Sequence, residues 1–108
     1  MGYQYAMKLD QIAAETMKRV VLDTQAILLV HHAARIYALQ DACPHMGASL
    51  VNGTLSEGTL VCPKHQAQID VKTGAIVSKA KMLFLKLPTK PARVYPVKIE
   101  DGKIFVEV

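Results

Sequence analysis

The chain has 108 residues, enough for one domain with a modest core and too few for two. About half of the residues are apolar and a fifth are charged, an ordinary balance for a globular protein; the net charge of +4 comes from scattered basic residues, without the aromatics that a base-stacking surface needs. Residues 1–10 lack a basic region followed by an apolar run, and no apolar stretch approaches the roughly 20 residues of a membrane span, so the expectation is a cytoplasmic protein that engages neither nucleic acid nor membrane.

Taken in order, Asp10 to Glu15 suits a single helical turn with Asp10 as its N-cap. Val20-Val21-Leu22, Ile27 to Val30 and Arg35 to Leu39 are short β-branched or aliphatic runs broken by polar residues, the mark of strands. The span 26–40 reads as a hairpin turning at His31-His32-Ala33-Ala34, with both histidines at the surface. Residues 41–91 are richer in Gly and Pro (Pro44, Gly47, Gly53, Gly58, Pro63, Gly74, Pro88, Pro91), which set tight turns and let backbone approach a bound group. Within that stretch Asp70 is expected to cap a turn ahead of Thr73-Gly74. Val94 to Glu100 and Lys103 to Val108 flank Asp101-Gly102, whose residue types supply the positive φ angles of a type I′ hairpin turn. The expected fold is all-β: one domain over 1–108, with an antiparallel sandwich-like base from 1–40 and 92–108 and a loop-rich subdomain over 41–91.

The chemistry concentrates in two short segments. Cys43-Pro44-His45 and Cys62-Pro63-Lys64-His65 each carry one thiol and one imidazole, 16 residues separate His45 from Cys62, and together they use every cysteine in the chain. A lone disulfide would leave His45 and His65 without a reason, whereas a Cys₂His₂ set suits zinc or an iron–sulfur cluster. Zinc fingers place both cysteines together and both histidines together; here each segment carries one of each. That arrangement matches a dinuclear cluster whose two irons have different ligands.

With these segments the chain resembles the Rieske family. Cys43-Pro44-His45-Met46-Gly47 and Cys62-Pro63-Lys64-His65 correspond to its C-x-H and C-x-x-H loops; Tyr37-Ala38-Leu39, Gly53, Asp70, Thr73-Gly74 and the Tyr95-Pro96-Val97 ending fit around them. The resemblance implies one [2Fe–2S] cluster per chain, with Cys43 and Cys62 on the inner iron and His45 and His65 on the outer. Met46, Gly47, Lys64 and Gln66 would lie beside the cluster, and Leu87-Pro88-Thr89-Lys90-Pro91 resembles the proline loop that covers it.

The departures are informative. The extra cysteines of membrane-complex members are replaced by Ala48 and Lys64, so their disulfide is absent. High-potential members place a serine and a tyrosine two and four residues after the second histidine, donating to cluster sulfur; here Ala67 and Ile69 stand there. Fewer donors imply a potential at the low end of the class range of about −150 to +300 mV. Gln66 replaces the usual glycine, and the basic net charge contrasts with the acidic balance of many dioxygenase ferredoxins.

The implied function is that of a ferredoxin, a one-electron carrier that accepts from a reductase and donates to an oxygenase of the aromatic-ring-hydroxylating dioxygenase or monooxygenase kind, without catalysing turnover itself. A different class is the Rieske-like small subunit of a larger reductase such as assimilatory nitrite reductase. The remote alternative is a zinc-stabilised interaction module.

Overall fold

The computed structural model describes residues 2–41, 51, 53–61, 68–78, 81–82, 85–86 and 92–108. Among them the chain is built of antiparallel strands: β1 (Tyr3–Lys8), β2 (Thr16–Leu22), β3 (Gln25–His32), β4 (Arg35–Gln40), β5 (Thr54–Ser56), β6 (Thr59–Val61), β7 (Gln68–Asp70), β8 (Ile76–Ser78), β9 (Lys81–Met82), β10 (Leu85–Lys86), β11 (Val94–Tyr95), β12 (Val97–Glu100) and β13 (Lys103–Glu107). The all-β reading holds. They form a four-stranded sheet in the order β11-β4-β3-β2, a three-stranded sheet β1-β13-β12, a small four-stranded sheet β5-β6-β7-β8 and the ribbon β9-β10.

The β11-β4-β3-β2 sheet sits in the middle. Side chains alternate across a strand, and β3 uses both faces. Leu28 and Val30 join Leu39, Leu60, Ile69, Val71 and Ala92 in one core, shared with the β5-β8 sheet. Ile27 and Leu29 join Ala38, Ile12, Leu22, Ile104 and Val106 in a second core, shared with β1-β13-β12. The unbroken apolar run of β3 follows from this double burial, since Ile27, Leu28, Leu29 and Val30 are all fully buried.

Two-residue turns join β2 to β3, β3 to β4, β5 to β6 and β12 to β13, and two of them adopt positive φ without glycine: Asp23-Thr24 (51° and 66°) and Ala33-Ala34 (52° and 64°). Asp101-Gly102 (51° and 71°) has the type I′ geometry that its residue types foretold. The β3-β4 hairpin therefore turns at Ala33-Ala34, and His31 and His32 are the last residues of β3, paired with Ile36 and Arg35. Neither histidine is a bare surface residue. His31 Nδ1 donates to Ile12 O at 3.0 Å, and His32 Nδ1 lies 2.8 Å from Glu15 Oε1.

Three other details differ from expectation. The helical turn is a 3-10 turn over Leu9–Gln11 whose N-cap is Lys8, not Asp10; the Lys8 N–H donates to Gln11 Oε1 at 3.0 Å. Strand β1 pairs along β13 and carries no clean apolar alternation to announce it. Val94 to Glu100 is two strands rather than one: β11 pairs with β4, β12 with β13, and Pro96 lies between them. Proline has no N–H to continue a ladder, so the chain leaves one sheet at Pro96 and enters the other, with Pro96 O accepting from Glu107 N–H at 3.0 Å.

Candidate metal centre

Cys43, His45, Met46, Gly47, Cys62, Lys64, His65, Gln66 and Pro88 lie outside the described residues, and the structure reports on the frames from which their segments leave and return. Among the described residues, no group of three or more His, Cys, Asp or Glu side chains is placed to hold a metal.

The first segment follows β4. Its entry residue, Asp41, has a side chain with no exposed surface. Asp41 Oδ2 accepts from Arg19 Nε at 2.8 Å, Oδ1 accepts from the Val51 N–H at 3.1 Å, and its own N–H donates to Ala26 O at 2.9 Å. One carboxylate thus joins residue 41 to residue 51, the two ends of the stretch that contains Cys43 and His45. Burying it is tolerable because it is both ion-paired and hydrogen-bonded. Nothing near Asp41 in the sequence marks Arg19 as its partner.

The second segment joins β6 to β7, where Val61 and Gln68 are register partners. The chain therefore departs and re-enters at directly opposed positions, with Cys62 and His65 in between. Behind these ends Leu60 and Ile69 pair with each other and fill the core that also takes Leu39, two residues before Asp41. Both donor segments spring from the rim of a single apolar core.

The segment holding Pro88 returns at the same rim. Gln40 N–H donates to Arg93 O at 2.8 Å, and Arg93 N–H donates to Gln40 Oε1 at 3.0 Å. Ala92 N–H donates to Gly74 O at 2.8 Å, while Gly74 N–H donates to Asp70 O at 2.7 Å. Asp70 caps its turn as expected: Oδ1 accepts the Lys72 N–H at 2.8 Å, and Thr73 Oγ1 accepts the Ala75 N–H at 3.1 Å. Gly74 has φ +77°, and a Cβ there would lie 2.1 Å from Ala92 O, so only glycine allows this approach.

Two thiols and two imidazoles, in mixed pairs on two segments whose described ends border one apolar core, suit a group with one sulfur-ligated and one nitrogen-ligated metal ion. The donor set fits a [2Fe–2S] cluster. Ile69, fully buried in the apolar core, brings no side-chain donor to it.

Comparison with known proteins agrees. The model of the Rieske [2Fe-2S] domain matches residues 2–88. The anthranilate 1,2-dioxygenase ferredoxin subunit of Burkholderia cepacia is 32% identical over 93% of this chain and 86% of its own. The 3-phenylpropionate/cinnamic acid dioxygenase ferredoxin subunit of Photorhabdus laumondii is 36% identical over 83% of this chain and 80% of its own. Among solved structures, the ferredoxin of carbazole 1,9a-dioxygenase from Nocardioides aromaticivorans superposes with a TM-score of 0.83 at 26% identity, covering 98% of this chain and 97% of the other. The motifs, the frames that carry them and these similarities agree: the chain belongs to the Rieske [2Fe-2S] domain family, among its ferredoxins.

Proposed function

We infer that this chain is a ferredoxin of an oxygenase system, a one-electron carrier rather than a catalyst. The observation that carries the reading is the pair of mixed Cys/His segments in a chain that matches ferredoxin subunits over most of the length of both partners. A solved complex of reduced oxygenase and oxidised ferredoxin in carbazole 1,9a-dioxygenase contains a similar fold, with a TM-score of 0.81 at 26% identity. By that analogy the acceptor is an oxygenase and the donor a reductase. The cytoplasm is the proposed location; no helix among the described residues is long and apolar enough to cross a membrane.

In this reading Cys43 and Cys62 hold the inner iron, and His45 and His65 the outer one. Residues 41–91 form the cluster-bearing part, mounted on a base of 1–40 and 92–108. When bound, the cluster supplies reversible one-electron exchange. The chain supplies the rest. Asp41 closes the first donor segment, the Val61–Gln68 pair closes the second, and Gln40 returns the Pro88 segment to the same rim.

The test is EPR of the dithionite-reduced protein with iron and zinc analysis. A rhombic signal with average g near about 1.9 and two irons per chain is expected. Replacing Cys43 or Cys62 by Ser should abolish the signal. A silent protein containing zinc would overturn the reading.

A further inference from the structure

The sheet β1-β13-β12 has one face in a core and the other in solvent. Ile104 and Val106 of β13 are fully buried, so Lys103 and Phe105, which alternate with them, face outward. Opposite them on β1 stand Lys8 and Tyr5. Residues 5 and 8 are three apart and would point to opposite faces of a regular strand. A bulge prevents this. Tyr5 pairs with Phe105 and Met7 with Ile104, so two steps along β1 match one along β13, and Ala6 and Met7 both pack against the core. Tyr5 and Lys8 thereby share the outer face.

These four side chains line one open groove of about 380 Å³, and among the described residues no other forms its walls. Tyr5 is 48% exposed and meets Phe105 edge to face, with ring centres 6.0 Å apart and planes at 65°. Lys8 and Lys103 are exposed register partners, and among the described residues neither is ion-paired with a carboxylate. Glu100, the partner of Lys103 on β12, is held by Lys98 at 3.1 Å. Lys98 in turn lies 4.8 Å from the centre of the Tyr3 ring and 5.7 Å from that of Phe105. The third lysine of this face is thus matched, while the directly opposed pair is not. Like charges in that position destabilise a sheet, and an anion between them removes the repulsion. The sequence shows only scattered lysines and few aromatics; the sheet gathers them.

We propose that this groove binds a small aromatic anion, its ring against Tyr5 and Phe105 and its carboxylate or phosphate between Lys8 and Lys103. The volume lies at the lower end of the roughly 300–1,000 Å³ of small-molecule sites, which suits a ligand of one or two rings. The rings supply apolar and stacking contact, and the two ammonium groups fix the orientation. Aromatic acids and nucleotides share this chemistry. The groove is on the sheet that carries neither donor segment, so the proposal goes beyond the carrier reading and does not depend on it.

The experiment is an amide NMR titration of the cluster-loaded chain with naphthoate and, separately, with adenosine monophosphate. Saturable shifts are expected at the amides of residues 5, 8, 103 and 105, and the tighter of the two probes identifies the source as an aromatic acid or a nucleotide. Lys8→Gln/Lys103→Gln should weaken binding by about fivefold or more, the scale of two exposed charge contacts. Lys18→Gln/Lys72→Gln, an equal charge change on exposed lysines elsewhere, should change it by less than about twofold, as distant screened charges do. Tyr5→Leu should weaken naphthoate by about threefold through lost stacking and leave the weaker binding of cyclohexanecarboxylate unchanged. The dispersion of each variant's own spectrum reports its fold. Equal losses from both lysine pairs would show a net-charge effect and overturn the site. Cyclohexanecarboxylate binding as tightly as naphthoate, or an absence of saturable shifts, would overturn it as well. Shifts at the same amides on raising the protein concentration without ligand would overturn it in favour of a second copy of the chain.

Discussion

Gly74→Ala and Gly102→Ala form a matched pair that isolates one contact. Both glycines have positive φ, +77° and +71°, so both alanines meet the same backbone penalty of about 1–2 kcal/mol. Each also recovers about 0.4–1 kcal/mol from a less mobile unfolded chain. The surroundings differ. Nothing lies within 4 Å of a Cβ at residue 102, whereas at residue 74 that carbon would stand 2.1 Å from Ala92 O. Relief requires the two segments to part by about an ångström, which breaks the 2.8 Å bond from Ala92 N–H to Gly74 O and draws Ala92, 4% exposed, out of the core. Leaving those buried polar groups unpaired adds about 1–3 kcal/mol, and the lost packing adds roughly 1 kcal/mol. Gly102→Ala should therefore cost about 1 kcal/mol, and Gly74→Ala about 3–5 kcal/mol, built from those same contributions. At about 4–8 °C per kcal/mol, thermal unfolding followed by circular dichroism should separate the two variants by at least about 10 °C. Melting temperatures within about 3 °C of each other, less than a single kcal/mol, would refute the close approach of residues 74 and 92.

Asp41→Ala removes the fully buried carboxylate that ties Arg19 and Val51 together, and should destabilise the protein by about 2–3 kcal/mol in urea unfolding, with reduced iron content. Arg19→Ala should cost a similar amount, roughly 2–3 kcal/mol, because it leaves the fully buried Asp41 carboxylate without its cation. The Glu15 carboxyl is held below its ordinary value by its hydrogen bonds to the His32 ring and the Ala33 N–H. A depressed carboxyl stabilises the fold fully above the unfolded value of 4.5, and that stability is lost as pH falls through the lower folded value. The melting temperatures of the unaltered chain and Glu15→Gln should accordingly differ at pH 6 and converge as the pH is lowered below about 4.5. The midpoint potential, by EPR-monitored redox titration, should lie below about +100 mV, because Ile69 and Ala67 offer cluster sulfur no hydroxyl. A midpoint clearly above that value would mean that other groups supply the donors.

The parts legible in the sequence are those where chemistry or backbone leaves few choices. Few metal centres take one thiolate and one imidazole from each of two short segments, so Cys43, His45, Cys62 and His65 stand out without any fold. Asp101-Gly102 is visible because glycine takes positive φ freely. Ala33-Ala34 adopts the same turn by constraint, with His32 and the Ala33 N–H both bonded to Glu15, and no residue preference at positions 33 and 34 reveals it. The Pro96 switch was present in the sequence as a proline in a strand-like run. Which sheet each half joins depends on the partners β4 and β13, far away in the chain. Arg19 was the least visible, since its link to Asp41 crosses 22 residues and exists only once β2 lies along β3.

Strand β3 has a consequence for how this protein comes apart. Successive residues along it belong to different cores, Leu28 and Val30 to the one at the donor-segment rim, Ile27 and Leu29 to the one under β1-β13-β12. Neither core can melt while the other holds β3 in place, and a slip of one residue would exchange the two sets of side chains. Unfolding should then be a single concerted transition, as is usual for a domain of this size. Damage at one end is felt at the other. Iron lost from an oxidised or acid-treated sample should loosen the distant β1-β13-β12 sheet as well, so amide exchange in β13 becomes an indirect gauge of whether the redox end is intact.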